Sequence, residues 1–128
     1  MGKTPLYEEA LSEAIIGAAI EVHRHLGPGL LESAYQICLA HEFYLRNIPY
    51  QQELTIPIEY KGLKLDANYR LDFLVDKKIV VELKAIEVVL PVHEAQLITY
   101  LQLTGCRAGL LINFNVDRLI KGITRRAL

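Results

Sequence analysis

The chain has 128 residues, of which 52% are hydrophobic and 23% are charged, a composition typical of an ordered globular protein with one core. Its formal net charge of −1 excludes a protein built to coat nucleic acid, because such proteins are strongly basic. The charge does not exclude an enzyme that acts on phosphodiesters, since the field that matters at a site is local. We expect one domain over residues 1–128 with an extra N-terminal helix.

Membrane and disulfide signals are missing from the sequence. The apolar run Ala14–Ile20 is too short to span a bilayer and is followed by Glu21. The first residues also lack the basic region and apolar core of a secretory signal. Cys38 and Cys106 lie in apolar surroundings without metal-ligand spacing, which predicts buried thiols rather than a disulfide. These features predict a cytoplasmic protein that does not bind membranes.

The N-terminal third has the three- and four-residue apolar spacing of helices. A first helix is predicted at about Tyr7–Leu26, and the segment Gly27–Gly29, with a central proline, should end it. A second helix is predicted from about Leu30 to Asn47, where the asparagine is a plausible terminator. The chain therefore opens with two consecutive helices.

The apolar period then changes to two, which indicates strands. We predict a strand at Tyr50–Tyr60, with Pro57 marking an edge or a bulge. A second strand is predicted at about Ala67–Val75, and a tight connection leads to a third at Ile79–Ala85. This part of the chain should therefore contribute three strands to a sheet.

The last third returns to a helix and ends in a strand or two. A helix is predicted from Pro91, a residue tolerated in the first helical turn, to Gly105. Ala108–Asn113 is a continuous apolar run typical of a buried strand. The end of the chain indicates a helical turn with or without a strand at Ile123–Ala127. The predicted order is α-α-β-β-β-α-β(-β), an α/β (α+β) fold with a mixed sheet flanked by helices.

Three ionisable residues stand inside the predicted buried strands: Asp72, Glu82 and Lys84. Buried charge is costly unless it is paired or bound to a metal. Glu82 and Lys84 are two residues apart and should share a face, and Asp72 on the preceding strand can approach Glu82 across the hairpin. Two converging carboxylates suit Mg²⁺, which prefers oxygen ligands, and a nearby lysine can orient water or stabilise negative charge. The pattern of an acid followed by acid-x-lysine is that of magnesium-dependent nucleases.

Other polar residues can join this site, and each also has a structural explanation. Lys84 could simply form a salt bridge with either acid. Glu32 stands where the dipole of the second helix favours an acid, or it supplies a further metal or water contact. Gln96 and Tyr100 share a helix face and could lie near the lysine, or form an ordinary polar stripe. Arg70 shares strand parity with Asp72 and could pair with it or with a phosphate.

Several segments resemble the GxxExxY protein family, a branch of the PD-(D/E)XK nuclease superfamily. The signature is Gly29-x-x-Glu32-x-x-Tyr35, and further segments that look like the family's, in the expected order, are 69–75, 81–85, 93–97 and 109–114. The resemblance implies a PD-(D/E)XK core and a Mg²⁺- or Mn²⁺-dependent nuclease acting on DNA or RNA. It implies metal-binding acids at Asp72, Glu82 and Glu32, and a catalytic set of Glu32, Asp72, Glu82, Lys84, Gln96 and Tyr100.

Two other functions stay open at this point. A non-catalytic interaction or assembly module could keep the fold, and Ile16 and Ile20, outside the main apolar stripe of the first helix, predict a homodimer interface on that helix. Intact acids and lysine argue against this alternative, because a non-catalytic module has no need of buried charges. A metal-dependent hydrolase acting on small phosphoesters is the other alternative.

Overall fold

The computed structural model describes residues 8–65 and 69–128. The predicted α/β fold is confirmed, including the final strand, but the described residues form five strands rather than three between the second and third helices. Three helices and seven strands are formed by the described residues: α1 Glu9–Leu26, α2 Glu32–Leu45, β1 Tyr50–Thr55, β2 Ile58–Tyr60, β3 Leu63–Leu65, β4 Arg70–Val75, β5 Ile79–Lys84, α3 Pro91–Thr104, β6 Ala108–Asn113 and β7 Ile123–Ala127, with a 3₁₀ turn at Leu119–Gly122.

The main sheet is mixed, as predicted. Its strand order is β1-β4-β5-β6-β7. The pair β5–β6 is parallel, whereas β1–β4, β4–β5 and β6–β7 are antiparallel. A parallel pair needs a crossover connection, and α3 supplies it. The central strands β5 and β6 therefore run in the same direction in the middle of the sheet.

The predicted strand Tyr50–Tyr60 is wrong in one respect, because it is two strands. β1 ends at Thr55, and β2 pairs with β3 in a separate two-stranded hairpin. The Ile56 N–H donates to the Tyr69 carbonyl oxygen (2.8 Å), and Pro57 has no N–H to continue a ladder. The second predicted strand begins at Arg70, and its predicted first residue, Ala67, lies outside the described residues.

The sheet separates two apolar layers. On one face α1 and α2 pack against Phe73, Val81 and Ile112. On the other face α3 packs against Val80 and Leu111. Side chains alternate between the faces of a strand, so β5 and β6, which are covered on both sides, are apolar almost throughout.

Local backbone geometry fixes where the helices begin and end. After α1, Gly27 and Gly29 have φ angles of 67° and 99°, a conformation that glycine adopts at little cost. α2 ends at Leu45, and Asn47 follows with φ 57°, so the predicted terminator is confirmed.

A Cβ on Gly109 would lie 2.9 Å from Leu97 Cδ1, so glycine there allows α3 to lie close against β6.

The prediction of a dimer interface on α1 rested on surplus exposed apolar side chains, and the structure does not show that surplus. Ile16 is buried, and Ile20 packs against the core formed by α1, α2 and the sheet. Both side chains are used within the chain because α1 packs against α2 and the 3₁₀ turn at Leu119–Gly122 in a core that they share with the sheet. Cys38 and Cys106 are free but half-buried rather than buried. No helix within residues 8–65 and 69–128 has the length and apolar character of a membrane span.

The turn between β4 and β5 yields a stability prediction. Asp76 and Lys77 both have positive φ angles, 50° and 56°, as a type I′ turn requires. Left-handed backbone costs a lysine roughly 1–2 kcal/mol, and Asp-Gly is a favoured pair in this turn. We expect Lys77→Gly to raise the free energy of unfolding by about 1 kcal/mol after the entropy cost of glycine, measured by urea denaturation. Lys78→Gly, outside the positive-φ pair, should give no gain; equal gains from both variants would contradict the explanation.

Candidate active site

The ladder between β4 and β5 stops where the two acids lie. Its last pair on this side is Phe73 with Val81. Beyond that pair, the Asp72 N–H donates to Glu82 Oε2 (2.8 Å) and the Leu83 N–H donates to Asp72 Oδ2 (2.7 Å). Each carboxylate thus accepts a hydrogen bond from the backbone of the opposite strand. This reciprocal pair of bonds joins the strands and holds the two acids side by side, as the sequence predicted.

The alternation of β4 also changes at Asp72. Leu71 belongs to the apolar layer under α3, whereas Phe73 belongs to the layer under α1 and α2, although residues two apart in a regular strand share a face. On the neighbouring strand β1, Glu53 has a φ of 53°. The sheet is therefore irregular beside Asp72, on both β1 and β4.

Burial raises the pKa values of Glu32, Asp72 and Glu82, and the charge of Asp72 raises those of the other two further. Glu82 is buried, and desolvation, followed by the charge of Asp72, raises its pKa to about 8. Desolvation also raises the pKa of Asp72, against the hydrogen bond from Leu83. The pKa of Glu32, the first residue of α2, is raised by desolvation and then by the charge of Asp72. The predicted acids therefore form one electrostatically coupled group.

Lys84 lies beside these acids without forming an ion pair with them. It is the half-buried last residue of β5, and its charge lowers the pKa values of Glu32, Asp72 and Glu82. Yet none of the ion pairs found within residues 8–65 and 69–128 includes Lys84. The plain salt-bridge explanation of the trio therefore does not apply, and the ammonium can still bind a ligand.

α3 brings Gln96 and Tyr100 to the same place. Gln96 Nε2 donates to the Tyr100 hydroxyl oxygen (3.0 Å). Burial raises the pKa of Tyr100, and the next largest cause is the charge of Glu82. Tyr100 is therefore a neighbour of Glu82, and the six residues predicted for the site converge. Arg70 behaves differently: it is exposed at the start of β4 and is in none of the ion pairs within the described residues. Of its two expected partners, Asp72 is therefore not bound by Arg70, and a phosphate stays a prediction.

The donor set fits a hard divalent cation only in part. Asp72 and Glu82 offer adjacent carboxylates, and Mg²⁺ is usually bound by one or two carboxylates with several waters. Within the described part of the chain, however, no three His, Cys, Asp or Glu side chains form a complete metal-ligand group. Two of the predicted ligands are therefore suitably placed, and Glu32 as a third ligand stays a prediction.

Tyr35, quoted in the signature but not assigned a role, holds the turn that leads to Glu32. Its hydroxyl donates to the Gly27 carbonyl oxygen (2.6 Å) and accepts from the Leu30 N–H (3.1 Å). Its ring is fully buried and stacks on Phe114, with centroids 4.4 Å apart. Because Glu32 follows this turn directly, Tyr35 fixes the position at which α2 begins.

Asn113 performs a similar task beyond Lys84, and sequence reasoning missed it. Its buried side chain accepts from the Ile86 N–H (3.1 Å) and the Asn115 N–H (3.2 Å), and its Nδ2 donates to the Ile86 carbonyl oxygen (2.9 Å). The adjacent Phe114 N–H donates to the Lys84 carbonyl oxygen (2.8 Å). The end of β6 therefore clamps the backbone on which Lys84 stands. A polar residue closing an apolar strand was the available signal.

An acid on one strand and acid-x-lysine on the next, in a mixed sheet flanked by helices, is the pattern of magnesium-dependent nucleases. The model of the PD-(D/E)XK nuclease superfamily matches residues 9–126, almost the whole chain. The chain therefore belongs to the PD-(D/E)XK nuclease superfamily, and the narrower GxxExxY assignment stays a prediction. No curated protein and no solved structure matches the chain.

The raised pKa of Glu82 predicts an unusual pH dependence of stability. Between its ordinary value of 4.5 and about 8, the folded protein holds a proton that the unfolded chain releases, so the free energy of unfolding falls as pH rises through this window. We expect Glu82→Gln, which keeps an acceptor for the Asp72 N–H, to raise the melting temperature in EDTA at pH 9 but hardly at pH 5.

Differential scanning calorimetry of both proteins across pH 5–9 measures this difference. Glu59→Gln, which removes a charge from an exposed position on β2, is the matched control and should leave the melting temperature nearly unchanged. An equal gain for Glu82→Gln at pH 5 and pH 9 would show that burial of the ionised carboxylate is not the cause.

The Asn113 clamp predicts a local opening. Asn113→Ala removes three hydrogen bonds from a buried network, so we expect a loss of about 3 kcal/mol in the free energy of unfolding and faster amide exchange at Ile86. Urea denaturation and native-state hydrogen exchange measure the two effects. Asn115→Ala is the matched control, because Asn115 joins the network through its backbone N–H. Unchanged exchange at Ile86 would contradict the clamp.

Proposed function

We propose that this chain is a Mg²⁺- or Mn²⁺-dependent nuclease that hydrolyses phosphodiester bonds in DNA or RNA. The observation that carries the proposal is the placement of Asp72 and Glu82 side by side where the ladder between β4 and β5 ends. Lys84 lies near both acids but belongs to none of the ion pairs of the described residues. Superfamily membership supports the same reaction class.

The carboxylates of Asp72 and Glu82 would hold the cation, with Glu32 as a further metal or water contact. A bound divalent ion supplies Lewis-acid polarisation of the phosphate and a more acidic water. Glu82 has to lose its proton before it can serve as a ligand, and because its pKa is about 8, metal affinity should increase with pH across the neutral range.

The remaining residues act on the phosphodiester and on water. The Lys84 ammonium is close enough to the acids to alter their pKa values, so it can orient the attacking water or stabilise negative charge on the phosphate. Tyr100 accepts a hydrogen bond from Gln96, which leaves its own proton free to be donated. Its raised pKa keeps that proton in place, so the pair provides a neutral donor beside the acids.

The alternative of a non-catalytic module in this fold makes a different prediction about metal. Buried acids that repel one another reduce stability, and a chain without a cation to bind gains nothing from them. The observation that favours the alternative is the incomplete ligand group within residues 8–65 and 69–128.

The free state of both cysteines agrees with the cytoplasmic location that we propose for either function.

A cleavage assay tests the proposal. Labelled single- and double-stranded DNA and RNA, and a mononucleotide phosphoester, are incubated with the protein in Mg²⁺ or Mn²⁺. We expect a polymer to be cleaved and Lys84→Ala to lower the rate roughly 10²–10³-fold, as for other preorganised charge-stabilising groups. Lys78→Ala, which removes an exposed lysine at the other end of β5, should cleave at the wild-type rate.

Calorimetric titration with Mg²⁺ and Mn²⁺ separates the enzyme from the module. Binding that disappears in Asp72→Ala supports the enzyme, whereas no binding at millimolar metal would overturn it. Cleavage that persists in Lys84→Ala would assign the activity to another site or to a contaminant.

A further inference from the structure

Several exposed apolar side chains lie near the predicted site residues along the chain. We call five of them the apolar rim: Leu31 (78% exposed), Tyr60 (62%), Tyr69 (44%), Val88 (64%) and Val92 (65%). Scattered apolar residues on a surface need no explanation. These five, however, lie on segments next to the predicted site residues, and that concentration indicates a binding surface.

The rim residues are neighbours of the predicted site residues in the sequence. Leu31 directly precedes Glu32, and Val88 lies between Lys84 and α3. Val92 lies in the first turn of α3, four residues before Gln96 and on the same helix face. Tyr69 directly precedes β4, and its charge is among the causes that raise the pKa of Tyr100. Each of these four rim residues is therefore within four residues of a predicted site residue.

Tyr60 belongs to the β2–β3 hairpin, which lies between β1 and β4 in the chain. Ile56, two residues before the hairpin, donates its N–H to the carbonyl oxygen of Tyr69, a rim residue. Register pairs Ile58 with Leu65 and Tyr60 with Leu63, so these four apolar side chains share one face, and that face is mostly exposed. A two-stranded hairpin with an uncovered apolar face is marginal in water, which favours a bound partner.

Few positive charges lie on the apolar face of the hairpin and beside Tyr69. Lys64 is exposed on β3 but lies on the other face of the hairpin, where it pairs in register with Glu59. The Lys61 ammonium lies 5.4 Å from the centroid of the Tyr60 ring, Arg70 is exposed beside Tyr69, and the chain as a whole has a net charge of −1. A duplex presents mainly phosphates, whose binding needs clustered lysine and arginine. An unpaired strand presents bases, which stack on aromatic side chains.

We infer that the apolar rim and the hairpin bind an unpaired polynucleotide strand through its bases, with Lys61 and Arg70 contacting phosphates. The inference rests on the proposed function and names its substrate class. Stacking on Tyr60 and Tyr69 gives affinity without sequence preference, because every base has a π-face. Two phosphate contacts at the rim and one at Lys84 give only a shallow salt dependence, with a slope of log affinity against log salt of about −2.1.

Fluorescence anisotropy in Ca²⁺ tests the inference with labelled oligonucleotides of one length: single-stranded DNA, single-stranded RNA, duplex DNA and an abasic strand. We expect either single strand to bind at least tenfold more tightly than duplex or abasic strand. Tyr60→Ala and Tyr69→Ala should each weaken binding by about 5- to 150-fold, whereas Tyr60→Phe and Tyr69→Phe should keep it. Tyr44→Ala, on the far end of α2 and equally exposed, is the matched control.

Three results would overturn the inference: duplex or abasic strand bound as tightly as the single strands, a loss in Tyr44→Ala equal to that in Tyr60→Ala, or a dimer by sedimentation velocity that Tyr60→Ala dissociates without changing oligonucleotide affinity. The last would assign the hairpin face to a second copy of the chain. Cleavage of the same oligonucleotides in Mg²⁺ separates the two proposals. Duplex cleavage without single-strand preference keeps the nuclease and removes the inference, whereas tight single-strand binding without any cleavage does the opposite.

Discussion

The structure depends on the reciprocal hydrogen bonds between the carboxylates of Asp72 and Glu82 and the backbone of the opposite strand. Buried carboxylates are costly to ionise, and the pKa of about 8 for Glu82 expresses that cost. The two backbone N–H donors offset part of that cost, and they take the place of the ladder bonds that β4 and β5 do not make beyond Phe73 and Val81. The same contacts therefore hold the sheet together and keep two acids next to each other.

The surroundings of the acids are fixed by a second set of contacts, centred on the stacked rings of Tyr35 and Phe114. Tyr35 closes the glycine turn before Glu32, and Phe114 holds the backbone of Lys84. Elements far apart in sequence thus meet in one buried stack. A disturbance at either ring should move both Glu32 and Lys84, so the signature tyrosine has a structural task that serves the acid three residues before it.

Periodicity and turn residues predicted most of the fold, because α1 has a clear apolar period, β5 and β6 contain apolar runs, and Pro91 and Gly105 mark the two ends of α3. Three features escaped. The break of the predicted strand at Ile56 and Pro57 depends on a partner, Tyr69, which is distant in sequence. The burial of Ile16 depends on how α1 packs against α2 and the 3₁₀ turn. The tasks of Tyr35 and Asn113 are hydrogen bonds from side chains to remote backbone, which leave no period in a sequence.

The near-neutral net charge of the chain and the cluster of acids at the site are both compatible with the proposed function once the protonation of Glu82 is considered. At neutral pH a pKa of about 8 keeps Glu82 mostly protonated in the metal-free protein, so the site carries less negative charge than its three acids indicate. In the proposed function, a cation that replaced this proton would offset the repulsion between the acids and stabilise the folded chain by mass action. The surrounding surface could then be apolar rather than basic, because the bound cation and Lys84 would supply the attraction for a phosphate at the site itself. Under that proposal the local charge of the occupied site, rather than the net charge of the chain, would complement a nucleic acid.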